Sequence, residues 1–174
     1  MENIDKLRDA LPDCARDVKI NLQNVLQPAT LSLEQTWGVA VASAFAAGNR
    51  RLADALWADA KARGVADGVL EDAKAAAVMM AMNNVYYRFR HVMGKESYEQ
   101  KPARLRMLRL KQPASTLVDL ELFSAAVSAI NFCEACLKSH EHVVLEGGLT
   151  EDHVHDAVRI AATVKAAAVA LDAA

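Results

Sequence analysis

The stretch Asn131-Phe132-Cys133-Glu134-Ala135-Cys136-Leu137-Lys138-Ser139-His140 holds a Cys-x-x-Cys pair and a histidine four residues after the second cysteine. On a helix, spacings of three and four bring Cys133, Cys136 and His140 to one face. Two thiols that close can form a disulfide after a modest backbone adjustment. A histidine one turn away can take the proton of the nearer thiol, and the thiolate is the reactive nucleophile. Asn131-Phe132 reads as a corner between two antiparallel helices. Glu121 lies ten residues before Asn131 and His140 nine after it, so a hairpin sets the two level. On one straight helix Glu121 and Cys133 would be about 18 Å apart. The fold therefore turns on whether the chain folds back here.

Working outward, the composition is that of helices. The chain has 174 residues, 53% of them hydrophobic, with only seven glycines and four prolines. Abundant alanine favours helix because it loses no side-chain entropy there. The length suits one domain spanning residues 1–174. We expect an all-α fold, without the βαβ context a thioredoxin-like site would need. A formal net charge of −2 argues against general affinity for nucleic acid or anionic membranes. The N-terminus has no apolar stretch behind a basic start, so no signal peptide is expected. Apolar stretches such as 38–48 fall short of the roughly 20 residues that span a bilayer. These features predict a cytoplasmic protein, where a Cys-x-x-Cys pair is redox-active or metal-binding more often than structural.

Capping signals divide the chain. A short amphipathic segment, Ile4 to Leu11, ends at Pro12. Asp13 is expected to cap a second helix with Ala15, Val18, Leu22 and Val25 on its apolar side, and Cys14 reads as an isolated small residue. Ser32 with Gln35 forms a capping box for a helix that stops at Gly48-Asn49. Helices follow over 50–63 and 69–93. The polar, aromatic end of the latter, 83–91, reads either as a packed helix end with a solvated basic face, or as a subunit interface or active-site wall. The basic connection 94–112 reads as a solvated face. Helices over 116–130, from the corner to Gly147-Gly148, and from Thr150 to about Leu171 complete the chain. The two halves look alike. Leu33-Glu34 matches Leu120-Glu121, and Glu71-Asp72 matches Glu151-Asp152, which suggests a duplicated helical unit offset by roughly 80–90 residues. On that reading Ala46 and Asn49 stand where the second half has its cysteines.

The chemistry reads as a relay. Glu121 orients or accepts from His140, and His140 serves Cys136. Cys133 lies nearer the helix N-terminus, whose dipole is worth about 0.3–1 kcal/mol at an exposed site. A directly paired base outweighs that, so Cys136 is the expected nucleophile and Cys133 the resolving thiol. Peroxide would convert Cys136 to a sulfenic acid, and Cys133 would condense with it to a disulfide and water. A zinc-bound interaction module is the competing reading, but structural zinc needs four ligands, and Cys14, His91, His142, His153 and His155 supply no clear second pair. Haem attachment needs histidine where Leu137 stands.

Several motifs in register resemble the AhpD family of alkyl hydroperoxidases, within the carboxymuconolactone decarboxylase-like superfamily. They are Leu11-Pro12 with Lys19-Ile20-Asn21-Leu22, Met82-Asn83-Asn84-Val85-Tyr86-Tyr87-Arg88, Glu121 with Phe123-Ser124, and Val127-Ser128-Ala129-Ile130-Asn131 running into Cys133, Cys136-Leu137 and His140-Glu141-His142. The resemblance implies an all-helical homo-oligomer, a trimer, with no bound cofactor or metal. It implies peroxidase activity toward alkyl hydroperoxides and reduction of a partner peroxiredoxin, alkyl hydroperoxide reductase C. Electrons would come from dihydrolipoamide, ultimately from NADH through lipoamide dehydrogenase and a lipoylated acyltransferase. Its relay falls on Glu121, Cys133, Cys136 and His140, with the disulfide between Cys133 and Cys136. Some members carry a histidine where this chain has Ala135, which puts an extra proton transfer in doubt. A non-redox member of the superfamily is the alternative.

Overall fold

Capping side chains at Ser32, Asn49 and Thr116 precede three of the long helices. The computed structural model describes residues 1–174 and contains no strand. Its helices are α1 (Glu2–Asp9), α2 (Arg16–Val25), α3 (Leu33–Ala47), α4 (Arg50–Ala62), α5 (Asp67–Met93), α6 (Glu96–Glu99), α7 (Leu108–Lys111), α8 (Leu117–Ile130), α9 (Glu134–Glu146) and α10 (Glu151–Asp172). The fold is all-α, as the composition implies. Asp13 does not cap the second helix. Residues Asp13–Ala15 form a 3-10 turn that holds the exposed Cys14, and α2 begins after it without a side-chain cap. No helix is long and apolar enough to cross a membrane.

The centre is made by α3 and α8, whose residues 36–44 and 120–128 are all buried. A helix apolar on every side must be covered on every side. Helices α5 and α10 pack against both of them. Gly38 allows the close approach of α3 to α8. A Cβ there would lie 2.2 Å from the Phe123 ring.

The duplication is explicit in the structure. Leu33, Arg50 and Asp67 open one set of helices and Leu117, Glu134 and Glu151 open the other, each pair 84 residues apart. Left-handed backbone recurs at the same interval. Gly48 has φ +82° and Phe132 +55°, and Gly64 has +83° and Gly148 +93°. Gln35 and Asp119, also an equivalent pair, bond to each other across the α3–α8 contact at 3.0 Å.

This register corrects the sequence correspondences. Leu33-Glu34 does not match Leu120-Glu121, nor Glu71-Asp72 match Glu151-Asp152. Cys133 corresponds to Asn49 and Cys136 to Leu52, rather than to Ala46 and Asn49. Alanine-rich segments align at many offsets, whereas a helix cap or a left-handed residue fits at one. In the true register Asp72 answers Asp156. Asp72 on α5 accepts from the backbone of Ala114 and Ser115, just before α8. Asp156 on α10 lies beside Leu31 and Thr36 at the entry of α3, and its carboxylate accepts from Arg159. Asp72 thus ties down the entry of the second half's central helix, and Asp156 stands at the entry of the first half's.

Candidate functional site

The second half differs from the first at the α8–α9 corner. Thr116 starts α8 by accepting the Asp119 N–H at 3.0 Å. The helix is apolar enough to be buried along its length, and Glu121 is the only charged side chain in that buried stretch. After Ile130 the chain reverses through Asn131 and Phe132, and Cys133 becomes the N-cap of α9. Cys133 is therefore not on the helical face that its spacing suggests; it precedes the first turn. The corner is pinned to α5. Asn131 donates from its side-chain amide to Asn84 Oδ1 at 2.9 Å, Asn84 donates to Ser128 Oγ at 2.9 Å, and Arg88 donates to the Asn131 carbonyl.

Folding back brings Glu121 and His140 together. Glu121 Oε2 lies 2.5 Å from His140 Nδ1, with both side chains buried. The other ring nitrogen, Nε2, lies 3.2 Å from the Met80 thioether on α5. With Glu121 holding the Nδ1 proton, a neutral ring carries its lone pair on Nε2. A thioether sulfur has no hydrogen to donate, so in this tautomer the Nε2 lone pair is left without a hydrogen bond. Cys133 and Cys136 form a disulfide with Cα atoms 5.3 Å apart. In this state His140 has no direct hydrogen bond to either sulfur.

A cavity of about 410 Å³ joins these groups. Cys136, His140, Glu121, Asn83 and Met80 line it, with Met107 and Leu110 from the connection between α5 and α8. Cys133 is 1% exposed and does not reach the cavity wall, whereas Cys136 is 7% exposed and does. Ala135 also faces the cavity, leaving His140 as its only histidine. Sequence reading missed Met80, Met107 and Leu110. The alternating apolar residues of the basic connection were the available signal, since a wholly solvated segment has no need of them. Asn83 and Tyr87, within the stretch read as a packed end or a wall, do line the cavity.

The outer face of the corner is polar. Glu134 bonds Lys138 at 2.6 Å and lies 3.4 Å from His91. The Lys138 hydrogen bond and charge, then the His91 charge, hold the Glu134 carboxyl below its ordinary range. This cluster is solvent-exposed and separate from the buried pair.

The fold and site thus define an all-helical, internally duplicated protein with a cysteine pair and a buried histidine–glutamate pair at one cavity. The pattern of the carboxymuconolactone decarboxylase family matches residues 97–174, the part that contains α8, α9 and α10. Full-length relatives are more specific. A protein of Anaeromyxobacter sp. (strain K) called alkyl hydroperoxide reductase AhpD is 63% identical over 172 residues, covering 99% of this chain and 92% of its own. Proteins of the same name from Rhodospirillum centenum and Brucella suis are 44% and 43% identical, covering 98% and 99% of this chain and 91% and 98% of their own. The chain belongs to the AhpD family.

Proposed function

We propose that this chain is a thiol peroxidase that reduces alkyl hydroperoxides with its cysteine pair and is recharged by dihydrolipoamide. The observation that carries the reading is a disulfide-forming cysteine pair whose Cys136 opens on the same cavity as the His140–Glu121 pair. The name shared by the relatives supports the substrate class.

In the reduced protein His140 Nε2, whose lone pair the Met80 thioether cannot engage, takes the proton of Cys136, directly or through a water in the cavity. Glu121 keeps the ring oriented and stabilises the charge it gains. The Cys136 thiolate attacks the terminal oxygen of the hydroperoxide. The O–O bond breaks, an S–O bond forms, and the alkoxide leaves as alcohol with the proton from His140. Cys133 then displaces hydroxide from the Cys136 sulfenic acid, giving the disulfide and water. The enzyme has given two electrons to the peroxide. Dihydrolipoamide returns them by thiol–disulfide exchange and leaves as lipoamide. Lipoamide dehydrogenase and a lipoylated acyltransferase would connect this step to NADH. The same dithiol would reduce the peroxiredoxin alkyl hydroperoxide reductase C through a mixed disulfide at Cys136. No bound cofactor or metal takes part.

A homo-oligomer fits the surface. Val78, Met82, Val85, Phe89 and Val92 are exposed on α5 at alternating spacings of four and three, the repeat with which helices pair. We read this stripe as the contact between copies.

The test is NADH consumption with cumene hydroperoxide, lipoamide, lipoamide dehydrogenase and this protein. Turnover should require the protein, vanish in Cys136→Ser and slow in Glu121→Gln. Undiminished turnover in Cys136→Ser would sink the mechanism. No turnover by the wild type, with and without the peroxiredoxin and with both thiols freely titratable, would favour a non-redox role.

A further inference from the structure

Adjacent asparagines on α5 have opposite fates. Asn84 uses both ends of its amide, donating to Ser128 Oγ and accepting from Asn131 Nδ2. Asn83 is as deeply buried, at 4% exposed, yet its Oδ1 meets no partner. Its Nδ2 finds only the Met107 thioether, at 3.0 Å. Buried polar atoms are normally paired, because leaving one unpaired forfeits its hydration without return. Three other buried side-chain atoms lack partners, on Trp37, Ser43 and Ser124, and none of these residues lines the cavity of Cys136. Asn83 does.

We propose that Asn83 is the residue that binds the peroxide group of the substrate. The inference rests on the peroxidase reading above. A hydroperoxide has one O–H donor, on the terminal oxygen that the thiolate must attack. An amide oxygen accepts that hydrogen bond without competing for the substrate's electrons. Met80, Met107, Leu110 and Val143 give the cavity an apolar side that suits the alkyl group, beside the hydroxyl-bearing Tyr87 and Ser139. In the disulfide state Asn83 Oδ1 is closed to contact with a water-sized group, and a turn of its amide toward the cavity brings it to the reacting end, which it holds by the proton while leaving the O–O bond free to meet Cys136. A disulfide oxidant carries no such proton and gains nothing from the contact.

That difference is the test. Pre-reduced wild type and Asn83→Leu are oxidised in single-turnover experiments, once by cumene hydroperoxide and once by oxidised lipoamide. Asn83→Leu keeps the branched heavy-atom skeleton and removes the acceptor, together with the amide donor to Met107. Oxidation by the hydroperoxide should slow about tenfold, the worth of one good hydrogen bond, while oxidation by lipoamide stays within about twofold. Asn83→Ser, which restores an oxygen, should recover part of the loss. Equal slowing with both oxidants in both variants would mean a structural role and overturn the proposal, as would no slowing with either. If wild type is oxidised by lipoamide but not by the hydroperoxide, the peroxidase reading itself fails and takes this assignment with it.

Discussion

Asp72 is fully buried yet surrounded by donors. It accepts from Ser115 Oγ and N–H at 2.7 Å each, from the Ala114 N–H, and from Arg109 at 2.7–2.8 Å. Burial pushes its carboxyl up, but the hydrogen bonds from Ser115, Ala114 and Arg109 together hold it below the ordinary value of 3.8. A carboxyl that titrates lower folded than unfolded stabilises the fold fully above its unfolded value, and loses that contribution as pH falls through its folded value. Asp72→Asn should therefore cost about 1.5–3 kcal/mol at pH 7, the range for hydrogen bonds to a charged group. Urea unfolding at pH 7, 5, 4 and 3 should show wild type and variant converging as pH falls below about 4. A difference constant across that series would mean that charge is not what Asp72 contributes. Glu121, by contrast, has one partner in the protein, His140.

The corner between α8 and α9 decides the element scale. Its counterpart between α3 and α4 uses Gly48 at φ +82°, where the left-handed region carries no Cβ penalty. The second half places Phe132 there at φ +55°, with its side chain 80% exposed. A non-glycine residue in this region costs about 1–2 kcal/mol, and an exposed ring returns little of it. Phe132→Gly should thus stabilise the protein. The greater freedom of glycine in the unfolded chain offsets part of the gain, so the net should be about 0.5–1 kcal/mol, seen as a higher Tm. A lower Tm would mean that the ring packs against something important, contrary to its exposure. The helix that follows inherits its geometry from this turn. Cys133 caps α9 and Cys136 closes its first turn, which keeps the two sulfurs within bonding reach.

For the whole molecule, duplication explains why one half is framework and the other carries the site. At the positions of Glu121, Cys136 and His140 the first half has Trp37, Leu52 and Leu56, all fully buried. One copy of the unit fills its centre with apolar volume, and the other leaves a polar pair beside a cavity. The α5 stripe is the remaining large apolar feature on the outside. The proposed contact between copies would cover these five residues, which lie in helix-pairing register. Val85→Glu, at a position 71% exposed, should leave the helical content unchanged and shift the protein to a smaller species in sedimentation velocity. An unchanged sedimentation coefficient, whether monomeric or oligomeric in both proteins, would remove the stripe as the contact.

Local signals are legible in a sequence because the forces behind them act within a turn. Ser32 with Gln35, Gly48, Thr116 and Thr150 mark helix ends through bonds to backbone three or four residues away, and the helices begin and stop there. The nearness of Glu121 and His140 follows from counting outward from Asn131, since a hairpin turns sequence distance into depth. The register of the repeat does not follow in this way, because alanine faces pack alike at several offsets and only the backbone angles separate them. Nor do Met80, Asn83, Met107 and Leu110, which come to Cys136 from a different helix and a basic connection. The sequence by itself determined the long helices, most of their ends and the chemistry clustered at one corner. Only the tertiary structure decided which walls enclose that chemistry, because burial of one helix against another is set by the whole core rather than by neighbours along the chain.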